Sequence, residues 1–219
     1  MIEFRLDFDR EDRTNIPESV LCEHKSASQV AAIATAVLAA GRRMLFTRLR
    51  ADMFAALPGE LQGQLDFDPL SGTAFLGAVA TGKAPIEGIG IVSAGTSDLP
   101  VAREAARTLA FHGYASPLVA DVGVAGLWRL TGQLEALRRH RIIIAVAGME
   151  GALFGVLAGL LAAPVIAVAS SVGYGVGGGG QVALNAALAS CAPGVVAVNI
   201  DNGFGAATAA IKFLRSITP

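Results

Sequence analysis

Between Arg141 and Asp201 the chain carries one side chain from the set Asp, Glu, Lys, Arg and His: Glu150, in the context AGMEGALFG. A stretch this apolar must be covered on all sides, which leaves two broad solutions. It is either a membrane segment or the interior of a layered α/β domain. A lone carboxylate there is informative, because burying an unpaired acid costs several kcal/mol or forces it to take up a proton. Glu150 is therefore the first candidate for chemistry.

About 20 consecutive apolar residues span a bilayer. Pro164, the cluster GYGVGGGG and the polar Ser170, Ser171, Gln181 and Asn185 divide the run into pieces of strand length and short-helix length. A parallel sheet covered on both faces accounts for it better, with apolar helices also covered by neighbouring subunits. No membrane association is expected.

Of the 219 residues 53% are hydrophobic and 26 are glycine, with 6% aromatic, so the core must be built of Ala, Val, Ile, Leu and Gly. A net charge of -1 gives no electrostatic case for nucleic acid. Two cysteines, Cys22 and Cys191, are too few for a disulfide framework, and the start MIEFRLDFDREDR is too charged for a signal peptide. The expected location is cytoplasmic.

Residues 1–88 hold 9 basic and 12 acidic side chains and residues 89–219 hold 8 and 6, so the charge balance changes sign near TGKAPIEG. The chain reads as a small N-terminal α/β attachment (1–88) and a catalytic domain (89–219). In the first part ASQVAAIATAVLAAG and ADMFAAL read as helices, MLFTRL and TAFLGAVA as strands. In the second, IGIVS, YASPLVA, RIIIAVA, PVIAVAS and GVVAVNI are five β-rich runs, each followed by a Gly-rich or polar loop and a helical run. That alternation predicts parallel βαβ units with right-handed crossovers.

Ligands of open parallel sheets sit beyond the carboxyl ends of the strands. The loops there are AGTSDLP, ADVGVAG, AGMEGAL, SSVGYGVGGGG and NIDNGFGAA. Thr96, Ser97 and Asp98 precede a helix with Pro100 in its first turn; they suit an N-cap, and equally a phosphate or carboxylate held at a helix start. Gly173, Gly175 and Gly178 fit GxGxxG, with Asp201 at the end of the next strand, but a dinucleotide fingerprint belongs in the first βα turn. A loop that closes over a ligand through its backbone is the better account.

Cys191 ends the helical run QVALNAALASC; it reads as a small buried hydrophobe or as a nucleophile. Glu150 sits near a helix N-terminus, as a capping carboxylate or as a functional one. Asp121 and Asp201 also end strands, so three carboxylates line one rim and could hold Mg²⁺, although no spacing here is a metal motif. His24, His112 and His140 fall outside the rim loops, which argues against histidine catalysis and a His-ligated zinc.

The motifs AGTSDLPVAREAA, DVGVAGLWRL, VAGMEGAL, SVGYG and NIDNGFGAA, in this order, resemble the nickel-pincer cofactor biosynthesis carboxylases, the pyridinium-3,5-biscarboxylic acid mononucleotide synthases. Their catalytic half is related to the phosphoribosylaminoimidazole carboxylase and mutase family. The resemblance covers essentially the whole chain, since DREDRTNIPE, the K-S-x-x-Q of HKSASQ and FTRL are similar to that family's amino-terminal signatures. Two positions depart: His24-Lys25-Ser26 stands where Gly-Lys-Thr is expected, and Phe154 where proline is usual. The expected fold is thus α/β, a flavodoxin-like three-layer arrangement with a parallel sheet of about five strands beside the small attachment.

The resemblance implies carboxylation of nicotinic acid adenine dinucleotide at ring carbon 5 by CO₂ or bicarbonate, with phosphoanhydride hydrolysis releasing AMP and no bound organic cofactor. It implies Cys191 as nucleophile and Glu150 as base or proton carrier. Thr96, Ser97 and Asp98 would hold a phosphate or the nicotinate carboxylate, and Gly173, Tyr174 and Gly175 would cover the ring or adenine. Asp121 and Asp201 would bind ribose hydroxyls or Mg²⁺. Gly148, Met149 and Gly151 of AGMEGAL, with Asn202 and Gly203 of NIDNGFGAA, complete the implied substrate-binding set. Related folds form octamers, so a homo-oligomer is expected. The alternatives are a purine-pathway aminoimidazole ribonucleotide carboxylase or mutase, normally with histidine at the place of Glu150, and a non-catalytic nucleotide-binding protein.

Overall fold

The structure is a computed structural model that describes residues 4–77 and 84–216. It divides into two units, Met1–Lys83 and Ala84–Pro219. The last three residues of the expected TAFLGAVA strand and the TGK of the expected boundary lie outside the described residues.

The first unit runs α1 (Arg10–Thr14), β1 (Ser19–Leu21), α2 (Ala27–Ala39), β2 (Met44–Thr47), α3 (Ala51–Ala55), α4 (Gly59–Gln62), β3 (Leu65–Asp68) and β4 (Thr73–Leu76). Its sheet has the order β1-β2-β4-β3, with β1 parallel to β2 and the other pairs antiparallel. α2 starts where the sequence stops it from starting earlier: Ser26 Oγ accepts the Gln29 N–H at 3.2 Å and Gln29 Oε1 accepts the Ser26 N–H at 3.0 Å, a reciprocal cap. Val30, Ile33, Ala34 and Val37 turn one face of α2 onto Phe46, Leu49 and Leu76 of the core. Strands β1 and β3 were not expected from the sequence. Both are only three or four residues long, and their pairing depends on neighbours rather than on their own pattern.

The second unit runs β5 (Ile89–Ser93), α5 (Leu99–Phe111), β6 (Leu118–Val119), α6 (Leu127–Thr131), α7 (Leu134–Leu137), β7 (Ile142–Ala147), α8 (Ala152–Leu160), β8 (Val165–Ala169), α9 (Gln181–Leu188), β9 (Val195–Ala197) and α10 (Gly203–Ser216). All pairs are parallel and the order is β6-β5-β7-β8-β9. α5 packs on α10, and α8 on α9, so helices flank the sheet in a flavodoxin-like three-layer arrangement. β5, β7 and β8 are buried along their whole lengths, which explains the absence of charged residues in them and the unbroken Ile, Val and Ala runs of β7 and β8. Among the described residues no helix is long and apolar enough to cross a membrane.

Starting at β5, the chain moves to β6 on one side and to β7 on the other. The loops that follow β5 and β7 therefore diverge, and a parallel sheet opens its binding crevice at such a point.

Candidate active site

That crevice is present. The residues after β5 (Gly95, Ser97, Asp98), after β7 (Gly148, Met149, Glu150, Gly151) and after β6 (Gly123, Val124, Ala125), together with Val172, line a cavity of about 390 Å³. Close backbone packing shapes its walls. A Cβ on Gly148 would lie 2.0 Å from the Val172 carbonyl oxygen, and Met149 donates its N–H to that same oxygen at 3.1 Å. A Cβ on Gly123 would lie 2.9 Å from the Ala94 oxygen. Asp121, Met149 and Asp201 hold φ of 58°, 51° and 53° in three of the loops that follow strands. Left-handed conformations at non-glycine residues cost about 1 kcal/mol or more each and concentrate at functional sites.

Asp98 is the buried carboxylate of the site, 4% exposed. Its Oδ2 accepts the Gly95 N–H at 2.8 Å, and its buried Oδ1 has no hydrogen-bond partner among the described residues. Burial pushes its pKa above the ordinary carboxylate value, and the negative Asp201 adds to the rise; the Gly95 N–H, the nearby Ser170 hydroxyl and the Gly148 N–H pull the other way. An acid so placed can donate a hydrogen bond when protonated or move a proton to and from a bound ligand. Asp98 thus stands at the helix start expected of it, enclosed while Thr96 and Ser97 beside it are exposed.

Glu150 reaches the same cavity but is exposed, so the cost of burial does not operate on it. It is not a cap either: the N-cap of α8 is Gly151, with no side-chain cap hydrogen bond. Its apolar sequence neighbours fill β7 and α8, while the loop that carries it turns outward.

Ser97, Gly148, Met149 and Gly151 line the cavity with Asp98 and Glu150, whereas Thr96, exposed beside them, does not. Tyr174 is 79% exposed in the glycine loop after β8. Gly173 packs against the Gly177 oxygen, where a Cβ would come within 2.2 Å, and Gly175 has open space around it at φ +55°. Asp201 Oδ1 accepts the Ser171 N–H at 2.8 Å, stapling the loop after β8 to the loop after β9. Asn202 and Gly203 serve the scaffold: Asn202 Oδ1 accepts the Gly205 N–H at 2.7 Å at the start of α10, and Gly203 lets α10 approach α5, a Cβ there falling 2.4 Å from the Val101 oxygen.

Asp121 forms a short ion pair with Arg129 of α6. Sequence reasoning missed this arginine, although it is the cation in the GLWRL segment that follows the β6 loop. Asp121 and Asp201 are each engaged elsewhere, and among the described residues no group of three His, Cys, Asp or Glu gathers to hold a metal ion.

The two thiols differ sharply. Cys22 is fully buried in the first unit, which pushes its pKa up to about 12. Cys191 is exposed, so it is not the small core hydrophobe its helix-end position suggested. It follows the C-terminal end of α9 and precedes the N-terminal end of β9, whereas Glu150 follows the C-terminal end of β7. Gly151 packs against Ala183 in the first turn of α9, and Cys191 lies three residues beyond the helix end at Leu188. Cys191 is not among the residues that line the cavity of its own chain.

Residues 3–77 match the LarB/PurE-like N-terminal domain, and residues 88–218 match AIR carboxylase. The chain belongs to the AIR carboxylase family. The amino-terminal domain joined to it matches the LarB/PurE-like N-terminal domain, so the chain pairs the two domains of the PurE/LarB family. A Methanocaldococcus jannaschii protein described as uncharacterized is 48% identical over 120 residues, which are 54% of this chain and 46% of the relative. The match thus spans about half of each protein.

Proposed function

We propose that this PurE/LarB-family carboxylase acts on nicotinic acid adenine dinucleotide, adding a carboxylate at pyridinium carbon 5 and hydrolysing the phosphoanhydride, to give pyridinium-3,5-biscarboxylic acid mononucleotide and AMP for nickel-pincer synthesis. The observation that carries this reading is the cavity itself: two carboxylates, Asp98 and Glu150, line it, and no histidine does among the described residues. An aminoimidazole ribonucleotide is already electron-rich and asks for a proton shuttle, normally histidine. Here His140 packs against Gly90 inside the fold and His112 caps the far end of α5.

A pyridinium ring is electron-poor, and its carbon 5 does not attack CO₂ unaided. Addition of a thiolate at a neighbouring ring carbon breaks aromaticity and leaves an enamine whose carbon 5 forms the new bond to CO₂. A base then takes the carbon 5 proton, the electron pair of that C–H bond restores the ring, and the thiolate leaves with the pair of the C–S bond. Glu150 is assigned as the base, and the Thr96, Ser97 and Asp98 loop as the holder of the nicotinate carboxylate. In the second half-reaction water cleaves the phosphoanhydride.

The thiol is supplied by Cys191 of the partner subunit in a homo-oligomer, since it does not line the cavity of its own chain. Two exposed apolar surfaces favour such an assembly. Leu188 and Val196 flank Cys191 in sequence at 70% and 43% exposure, and Val176 in the loop after β8 and Trp128 on α6 stand at 90% and 76%.

Mass spectrometry of the full chain incubated with nicotinic acid adenine dinucleotide, Mg²⁺ and ¹³C-bicarbonate tests the reaction. A labelled dicarboxylated mononucleotide with AMP, absent from Cys191→Ala, is the expected result. Full carboxylation by that variant would remove the covalent route, and turnover of aminoimidazole ribonucleotide would replace the reading with the purine one.

A further inference from the structure

The amino-terminal unit contains a second cavity, of about 360 Å³, that the carboxylation chemistry does not use. Its walls are the segment before α1, the outer strand β1 and the start of α2. Leu6, Val20 and Ile33 give it an apolar side, and Arg5, His24 and Lys25 a basic one. His24 and Lys25 belong to the HKSASQ motif, which the reaction leaves without a role.

Three observations point to an anion. Arg5 and Lys25 line the cavity and form no ion pair among the described residues, although ion pairs are common elsewhere in this unit. Ser19, also in the wall, has a buried Oγ with no hydrogen-bond partner, and a buried hydroxyl left unsatisfied calls for a missing partner. α2 begins at Ala27, directly after Lys25 and Ser26, so the positive end of a 13-residue helix dipole lies beside the basic side. The one acid in the wall, Glu18, is turned to the backbone, its Oε2 accepting the Asp7 N–H at 2.6 Å.

We propose that this cavity binds a phosphate monoester with an apolar or aromatic body. The phosphate dianion accepts from Arg5, Lys25 and the Ser19 hydroxyl, and the body lies against Leu6, Val20 and Ile33. Two cations and a hydroxyl suit a doubly charged group with three acceptor oxygens better than a carboxylate. The volume suits a small organic ligand rather than a bare ion.

Hydrogen–deuterium exchange of the full chain with phenyl phosphate, inorganic phosphate or benzoate tests this at peptide resolution. Phenyl phosphate is expected to protect residues 18–26 at lower concentration than either other probe, and Arg5→Gln/Lys25→Gln is expected to raise the concentration needed at least tenfold, with Lys25→Arg close to wild type. Absence of protection in 18–26, equal protection by benzoate, or protection unchanged in the double variant would each overturn the proposal. Protection confined to residues 94–98 and 148–151 would assign the anion to the carboxylase cavity instead. Should the double variant exchange faster across residues 44–76, the single Lys25→Gln carries the same comparison.

Discussion

Asp98 and Asp201 put two negative groups under one rim, and only Asp98 is enclosed. Asp201 sits in a loop and accepts the Ser171 N–H, while Asp98 is buried with one oxygen unpartnered. A carboxyl whose folded pKa is raised binds its proton more tightly in the native state. Stability is then fully present below the unfolded value of 3.8 and falls as pH rises through the higher folded one. Asp98→Asn keeps an oxygen for the Gly95 N–H and removes the charge. Its Tm is expected to exceed the wild type's by a few degrees near neutral pH, with the two curves converging toward about pH 4. Calorimetry of both proteins across that range checks this; a wild type more stable than the variant at high pH would show that the raised pKa has been assigned wrongly. Gly148 makes the opposite kind of demand, on space. Gly148→Ala drives a methyl into the Val172 carbonyl, which cannot retreat without losing the Met149 N–H. A loss of about 1–3 kcal/mol in urea denaturation is expected, as for other overpacked positions.

At the scale of the element, the reciprocal cap of α2 is a local device and its removal has a local cost. Ser26→Ala leaves the Gln29 N–H without its acceptor, and a loss of about 0.5–2 kcal/mol in equilibrium unfolding is expected. The helix was legible in advance because cap and apolar face are both written within one stretch of chain. The same holds for β5, β7 and β8, whose continuous β-branched runs need no partner to be recognised. Strands β1 and β3 were not legible, since a three-residue or four-residue strand is decided by what pairs with it. In the site, the AGTSDLP and AGMEGAL loops could be placed at strand ends from the sequence. Which of their carboxylates is buried could not, because that depends on the strand order that brings the β5 and β7 loops together over Ser170. Glu150 drew attention as a lone charge in an apolar run, yet side-chain burial is a property of the folded loop, and it is Asp98 that is enclosed.

For the whole molecule, the separation of Cys191 from the Glu150 cavity turns a question of chemistry into one of assembly. If a chain used its own thiol, the loop after α9 would have to bring Cys191 into a cavity that it does not line. If a neighbour supplies it, each intact site needs Glu150 from one subunit and Cys191 from another, and the exposed Leu188 and Val196 are covered in the contact that brings them together. Glu150→Gln and Cys191→Ala proteins are each expected to be inactive alone. Co-expressed in equal amounts, they form mixed oligomers in which about a quarter of the sites receive both intact groups, so about a quarter of wild-type ¹³C incorporation should return. Sites built within single chains give no such recovery, because every chain then lacks one of the two groups. Native mass spectrometry of the mixture confirms that subunits have combined, which makes an inactive mixed oligomer decisive against the shared site.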